Sequence, residues 1–491
     1  MSGNILDYEN VCLSGNLNQD VALFKNIFDN DAVLRIREVC IGNSALCCLI
    51  FMDGMVNSAQ LGETVVEALV ECTMPNGYSP SCNFIAKNIL FANEVTETTS
   101  LPDMLRAVLY GDTLLIAHQN TSALTINTKG WRTRGIKEPD SERVLQGPRE
   151  GFDEAAMFNL AMIRRKLLTP DLCIEMLRIG RRTDTPVYIC YLDSLANHKT
   201  VAEVKNRLNK INIDGILDSN YISENIRDNK YSLLKTIGST ERPDIVAARL
   251  LEGRIAIVVD GTPVVLTIPY LFSENFQSDE DYYINFTLAS LARILRWFCF
   301  FLTVCVPGAF VALTTHHFDL LPTHFALTVS RLRAGVPVAS GVECLLLILA
   351  FEILKETGLR MPQNLGHALS VVGGLVVGQA AVEAGVISAP MLIAVALSAI
   401  AGLMVPRLTS AVFYLRLIVA IFGFLFGIYG VFAVASIFAL RVFSINSFGS
   451  DYTISFSAPS FQSLKDSFFR VPWHLMKTRP LFNKNRIRKD D

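Results

Sequence analysis

Hydrophobic and polar positions divide this 491-residue chain at about residue 296. Before that point apolar runs are short and broken by charge; after it they lengthen and charge becomes sparse. On the N-terminal side, a pair of runs rich in strand formers, Ala45–Met52 and Val187–Leu192, each end at an Asp and lead into a helical pattern, Gly62–Glu71 and Val201–Ile211. The Asp suits either the turn or the helix start. The runs are copies: Ile50-Phe51-Met52-Asp53-Gly54-Met55-Val56-Asn57 aligns with Cys190-Tyr191-Leu192-Asp193-Ser194-Leu195-Ala196-Asn197. Further on, Gly111–Ile116 parallels Gly253–Val258, and equal spacing then leads to Leu124-Thr125-Ile126 and Leu266-Thr267-Ile268. A third echo pairs Phe158-Asn159-Leu160-Ala161 with Phe286-Thr287-Leu288-Ala289. Three collinear matches indicate a duplication. The expected architecture is a duplicated α/β N-terminal region: residues 1–167 form a first subdomain with a divergent N-terminus and a connecting helix, and 168–290 form the second. Asp260-Gly261 is a hairpin signal, and Ile255, Ile257, Val264 and Leu266 place that hairpin in the second core.

Segments 297–315, 367–386, 388–405 and 417–440 match the roughly 20 apolar residues that a membrane helix needs. Val338–Leu354 is shorter, carries Glu343 and Glu352, and is left as a span, a re-entrant piece or a surface helix. Residues 291–445 therefore read as an α-helical multi-span membrane domain, four spans plus one short partial segment, and 446–491 as a basic tail. Arg293 and Arg296 precede the first span; Arg441, Lys465, Arg470, Lys477, Arg479, Lys484, Arg486, Arg488 and Lys489 follow the last. Positive flanks are cytoplasmic, so both sides belong there and the crossings are even in number. Arg331, Arg333, Arg407 and Arg416 complicate that count.

A mean hydropathy of +0.35 and 18% charged residues, against ~25% for soluble proteins, exclude a disordered chain and a simple cytosolic globule. The net charge of −2 gives no polyanion-binding signal, so no nucleic-acid partner is expected. None of the 11 cysteines forms a C-x-x-C pair, and neither a zinc site, a disulfide framework nor a cofactor is expected. The N-terminus lacks a basic-then-apolar leader pattern. No Ser-His-Asp or Cys-His set is discernible, and the glycine-rich Val371–Gly378 lacks the Lys-Ser/Thr of a phosphate loop, so the chain is not read as an enzyme. Glycines there, and Gly423, Gly427 and Gly430, suit close helix packing. His316, His317 and His324 fit interfacial polar residues better than metal ligands. Glu383 lies one turn after Gln379. It either faces a bundle interior or water, because a lipid-facing carboxylate is costly, or ends a helix before Ser388-Ala389-Pro390.

Several runs resemble a known family. Leu251–Pro263, Phe276–Tyr283, Ser239–Asp244, Gln146–Phe152, Phe351–Gly358 and Gly378–Gly385 are similar to signatures of the A subunit of spore germinant receptors, and the resemblance covers about residues 130–480. It implies a multi-pass protein of the spore inner membrane with its N-terminal region and tail cytoplasmic. It also implies a transporter-like B subunit, a lipoprotein C subunit, membrane lipid and further copies of the chain as partners. The family function implied is nutrient sensing that starts germination, through an oligomeric channel for monovalent cations. A non-conducting scaffold, and the ion-signal amplifier represented by the AF protein of the stage V sporulation operon, are the alternatives. On that reading Gly374, Gly378, Gln379, Val382 and Glu383 line a pore, Glu343 and Glu352 form a band at its mouth, and Arg149, Glu150, Glu241 and Arg242 pair at a subdomain or subunit interface.

Overall fold

The computed structural model describes residues 5–29, 31–42, 45–74, 79–130, 142, 144, 146–360, 378–453, 466–476 and 478–479. The duplication is visible as strand order. Strands β1 (Leu34–Ile41), β2 (Ala45–Met52), β3 (Val95–Thr98), β4 (Thr113–Ala117) and β5 (Ala123–Ile126) form a sheet in the order β1-β2-β4-β5-β3. Strands β6 (Leu172–Ile179), β7 (Thr185–Leu192), β8 (Gly238–Thr240), β9 (Ile255–Val259) and β10 (Val265–Ile268) repeat it as β6-β7-β9-β10-β8. Every pairing is antiparallel, and the registers correspond: Leu34 faces Met52 as Leu172 faces Leu192.

Both faces of each sheet are covered by helices, which is why β2 and β7 read as almost unbroken apolar runs. In the first lobe Cys48, Ile50 and Met52 pack with Leu17–Ile27 and Leu101–Leu109, while Cys47 and Leu49 pack with Leu61, Val65 and Ile85 on the other side. In the second lobe Val187, Ile189 and Tyr191 meet His198–Asn209 and Ser219–Ile226. Tyr188 and Cys190 meet Pro243–Leu251 and Ala156–Lys166. That last helix was expected to close the first subdomain at 167. Its Ala156, Leu160 and Ile163 side belongs to the second core while Ala161 joins the first, so the helix connects the two, and Asp260 of the β9–β10 turn caps it by accepting the Ala156 N–H at 2.9 Å.

The repeated Asp residues take turn positions, not caps. Asp53 and Asp193 donate their N–H groups to the carbonyls of Val33 and Asp171 at 2.9 and 3.0 Å. The caps are the repeated asparagines: Asn57 accepts from Gln60 N–H at 3.3 Å and Asn197 from Lys199 N–H at 3.2 Å. The lobes meet edge to edge, where Ala32 N–H donates to Ile174 O at 3.0 Å and the buried Arg164 pairs with buried Asp31.

The helical region differs from the expected spans in four places. The first span lies within a 30-residue helix, Phe286–Thr315, that begins in the second lobe's junction. Of the Val338–Leu354 stretch, all but Val338 and Ala339 belongs to a continuous 21-residue helix, Ser340–Arg360. The expected 388–405 segment is a 14-residue helix, Ala389–Gly402, stopped by the turn before Pro406. The uncharged run 417–440 is not one helix. It divides into Thr409–Phe426 and Ile428–Phe443 at Gly427, whose φ of 62° and ψ of −147° are essentially restricted to glycine. The chain folds back there, bringing Gly430 against the Phe422 backbone. Of the 367–386 segment, 361–377 lies outside the described residues; 378–383 is helical and a turn follows with Gly385 at φ 67°. Among the described residues, Phe286–Thr315 and Pro406–Phe426 are long and apolar enough to cross a bilayer. They cross closely, for a Cβ on Gly423 would fall 2.6 Å from the Gly308 carbonyl oxygen.

After the last helix the chain returns to the second lobe as a small hairpin, β11 (Asn446–Ser447) with β12 (Ser450–Asp451). Ser447 Oγ donates to Thr236 O at 2.8 Å, Phe448 N–H to Asp228 at 2.9 Å, and Phe272 N–H to Tyr452 O at 2.9 Å. Phe448 sits in the second lobe's core under the Arg207 guanidinium, 4.4 Å from its ring centroid. Both ends of the helical region are thus fastened to one lobe.

Gly427→Ala is expected to cost about 1–3 kcal/mol, because a Cβ would also strike His317 at 2.6 Å. Gly62→Ala, in open space at negative φ, is expected to be neutral or stabilising by up to about 1 kcal/mol. Denaturant unfolding of the detergent-solubilised chain separates the two; equal effects would remove the conformational argument.

Candidate functional site

The lobes and the helices are joined by a buried charge network. Asp281, fully buried in the single-turn segment Asp279–Tyr282, accepts from Arg293 Nε at 2.8 Å and from both terminal nitrogens of Arg296 at 2.9 and 2.8 Å. Arg293 also reaches Asp466 at 2.7 Å, and Asp466 receives the Tyr282 hydroxyl at 2.7 Å. Burial opposes ionisation of Asp281, but the two guanidiniums outweigh it and hold the carboxyl below the usual aspartate range. An apolar layer lies beside this network: Phe276 stacks on Trp297 at 3.6 Å between centroids, with Phe272 and Tyr452 against them.

Next to it is a cavity of about 610 Å³ between the β8 edge, the Phe272–Tyr282 segment and the Leu403–Arg407 turn. Arg407 crosses the gap. It binds Asp279 at 3.0 and 3.2 Å and the Glu274 carbonyl at 3.1 Å, and Glu142 lies 3.8 Å away. Glu142 accepts from Thr240 Oγ at 2.6 Å and Glu241 N–H at 3.1 Å. Its burial, with Asp279 nearby, pushes its carboxyl above the usual range. A cleft of this size suits a small molecule.

The structure sorts the carboxylates of the helical region. Glu343 is buried; it accepts the Ser388 N–H and hydroxyl, both at 2.6 Å, with Arg333 at 3.9 Å, and so caps the helix Ala389–Gly402. Glu352 lies between Lys355 at 2.8 Å and Arg416 at 3.3 Å. Each thus has a cationic side chain of the same subunit nearby, Arg333 and Arg416 respectively. Glu383 is exposed, receives only Gln379 Nε2 at 2.9 Å, and meets no cation among the described residues. Gln379 is exposed with it, Gly378 and Val382 are partly buried, and Gly374 lies outside the described residues.

Of the interface candidates, Glu150 pairs locally with Arg165 and Lys166, and Arg242 with Asp244. The two motifs do touch: Arg242 donates to Pro148 O at 3.0 Å and Phe152 N–H to Glu241 O at 2.8 Å. Arg149 and Glu241 are not brought into a mutual pair. Sequence reasoning missed Asp279, Asp281 and Asp466. Asp279 and Asp281 lie in the Phe276–Tyr283 signature, an acidic run shortly before Arg293 and Arg296, while Asp466 has no such signal.

Known proteins share much of this sequence. The family model described as Bacillus/Clostridium GerA spore germination protein matches residues 22–482. Spore germination protein KA of Bacillus subtilis is 37% identical over 96% of this chain and 87% of its own length. Spore germination protein GerLA of Bacillus cereus is 32% identical over 95% and 96%. The crystal structure of the N-terminal domain of the A subunit of the Bacillus megaterium spore germinant receptor GerK3 is 31% identical, covers 55% of this chain and 99% of its own, and has a TM-score of 0.40. The chain belongs to the GerA family of spore germination proteins.

Asp281→Asn is expected to destabilise the chain by about 3–5 kcal/mol, since it leaves Arg296 short of a counter-charge and Arg293 with Asp466 alone. The folded carboxyl lies below its ordinary 3.8. Its contribution is therefore complete above that value and is lost as pH falls through the folded value. Unfolding measured from pH 6 down to pH 2 is expected to show an acid-induced loss in the wild type that is shallower in Asp281→Asn.

Proposed function

We propose that this chain is an A-type subunit of a nutrient-sensing germinant receptor, embedded in the spore inner membrane, and that copies of it form a ring conducting monovalent cations. The observation that carries the reading is Glu383. Two carboxylates of the helical region are neutralised inside the subunit, and this one is turned outward with a single amide for company. A carboxylate left against lipid costs a few kcal/mol. Placed around an axis, the same residue gives a negative band that admits cations. Exposed Ala380 and Ala384 beside it leave room for close approach of a second copy.

The family relationship supports a receptor with further subunits, here a transporter-like B subunit and a lipoprotein C subunit. The fastening of both ends of the helical region to one lobe favours an even number of crossings, with lobes and tail on the cytoplasmic side where basic flanks collect. A second reading is favoured by the position of Glu383 in the last helical turn before Gly385. A carboxylate there opposes the helix dipole and suits contact with a partner subunit, in a scaffold that does not conduct.

Glu383→Gln keeps the shape and removes the charge. In receptor reconstituted with its B and C subunits, reduced cation flux or cation preference with intact assembly is expected. Unchanged flux and selectivity would exclude Glu383 from conduction, and loss of assembly would favour the scaffold.

A further inference from the structure

Among the described residues, the junction cavity holds one cation that the junction does not neutralise. Arg249 pairs with Glu274, Arg296 with Asp281, and Arg407 with Asp279. Lys235 lines the same cavity and has no ion pair or hydrogen bond among the described residues. Its backbone is held in place: neighbouring Leu234 is buried in the aromatic layer with Phe272 and Trp297, and Thr236 O receives the Ser447 hydroxyl. Lys235 itself remains solvent-accessible, because what surrounds it is the cavity. Partial burial and the charge of Arg407 push its ammonium below the ordinary lysine range, against the pull of Glu142. An anion set between Lys235 and Arg407 would relieve that repulsion. Arg407 is shared by Asp279 and Glu142, and with Glu241 on the lining this surplus of carboxylates disfavours a multiply charged ligand.

The Leu403–Arg407 turn adds aliphatic side chains to the lining. Leu403 and Met404, 66% and 40% exposed, project from the turn that ends the helix Ala389–Gly402. A single anionic head with an apolar body matches this combination of a fixed cation and two exposed aliphatic side chains at the end of a membrane helix. Basic pockets at such levels are suited to lipid head groups.

We propose that the junction cavity binds an organic phosphate monoanion, the diester head of an anionic phospholipid or a soluble phosphate diester of the same chemistry. Lys235 contacts the phosphate oxygens, and Leu403 and Met404 cover the adjoining apolar body. The proposal rests on the membrane reading above.

The test uses the full chain in nanodiscs of phosphatidylcholine with and without phosphatidylglycerol, and separately in detergent with sn-glycero-3-phosphoglycerol, the deacylated head group. Bound phosphatidylglycerol, counted by native mass spectrometry, is expected to fall roughly fivefold in Lys235→Gln, the worth of one basic group near an anionic surface, and to be retained in Lys235→Arg. A saturable, Lys235-dependent rise in unfolding temperature with sn-glycero-3-phosphoglycerol would support the same site with a soluble ligand as its source. Equal phosphatidylglycerol retention in wild type and Lys235→Gln, with no response to sn-glycero-3-phosphoglycerol, would overturn the proposal alone. Failure of the chain to enter any nanodisc would overturn the membrane reading and this proposal with it.

Discussion

Asp281 is the residue on which the arrangement of lobes and helices depends. It is a fully buried carboxylate with two guanidiniums, and such a group is tolerable only when every partner is in place. Arg293 and Arg296 lie one helical turn apart on Phe286–Thr315, so satisfying Asp281 fixes the rotation of that helix about its own axis. Asp466 completes the charge balance through Arg293 and draws the segment after the last helices to the same point. The stacked Phe276 and Trp297 then exclude water from one side of the network. Orientation at the junction is therefore set by charge, and the aromatic layer shields it.

The interior of each lobe was legible because its determinants are local. The strand runs, the Asp-containing turn and the asparagine four residues later occur in both copies, and each acts within a few residues of itself. The allegiance of Ala156–Lys166 was not legible. Its sequence shows a helix, but whether Leu160 and Ile163 pack left or right depends on surfaces made by β6, β7 and β9. The division at Gly427 escaped for a different reason. Hydropathy counts side chains and is blind to φ, so an uninterrupted apolar run conceals a reversal that glycine alone permits. The packing role read into Gly423 was a sounder inference, since it needs only the lack of a side chain.

The charges of the helical region show where sequence reading stops. Arg333 and Arg416, which complicate the count of positive flanks, each face a glutamate on another element of the helical region. The separation of Arg416 from Glu352 along the chain is 64 residues, and no local pattern announces such a partner. Glu343 was noticed as a carboxylate in an apolar stretch, yet its work is to hold the first turn of a different helix. Glu383 is conspicuous in the sequence too, but what sets it apart from these two, the lack of a cationic partner among the described residues, is visible only in three dimensions.

The hairpin that carries Phe448 has a consequence for the order in which the molecule can be made. Phe448 belongs to the second lobe's core but emerges from the ribosome after the whole helical region. Until then the pocket formed around Ile222, Ile226 and Leu266 lacks a wall, and Asp228 and Thr236 lack the partners that the hairpin brings. The first lobe, complete within its own stretch of chain, waits for nothing so distant. Synthesis thus yields one finished lobe and one open lobe, and the open one closes only when the last helix has delivered its C-terminal end back to that lobe. Completion of the second lobe's core in this way reports that the apolar helices have all been laid down.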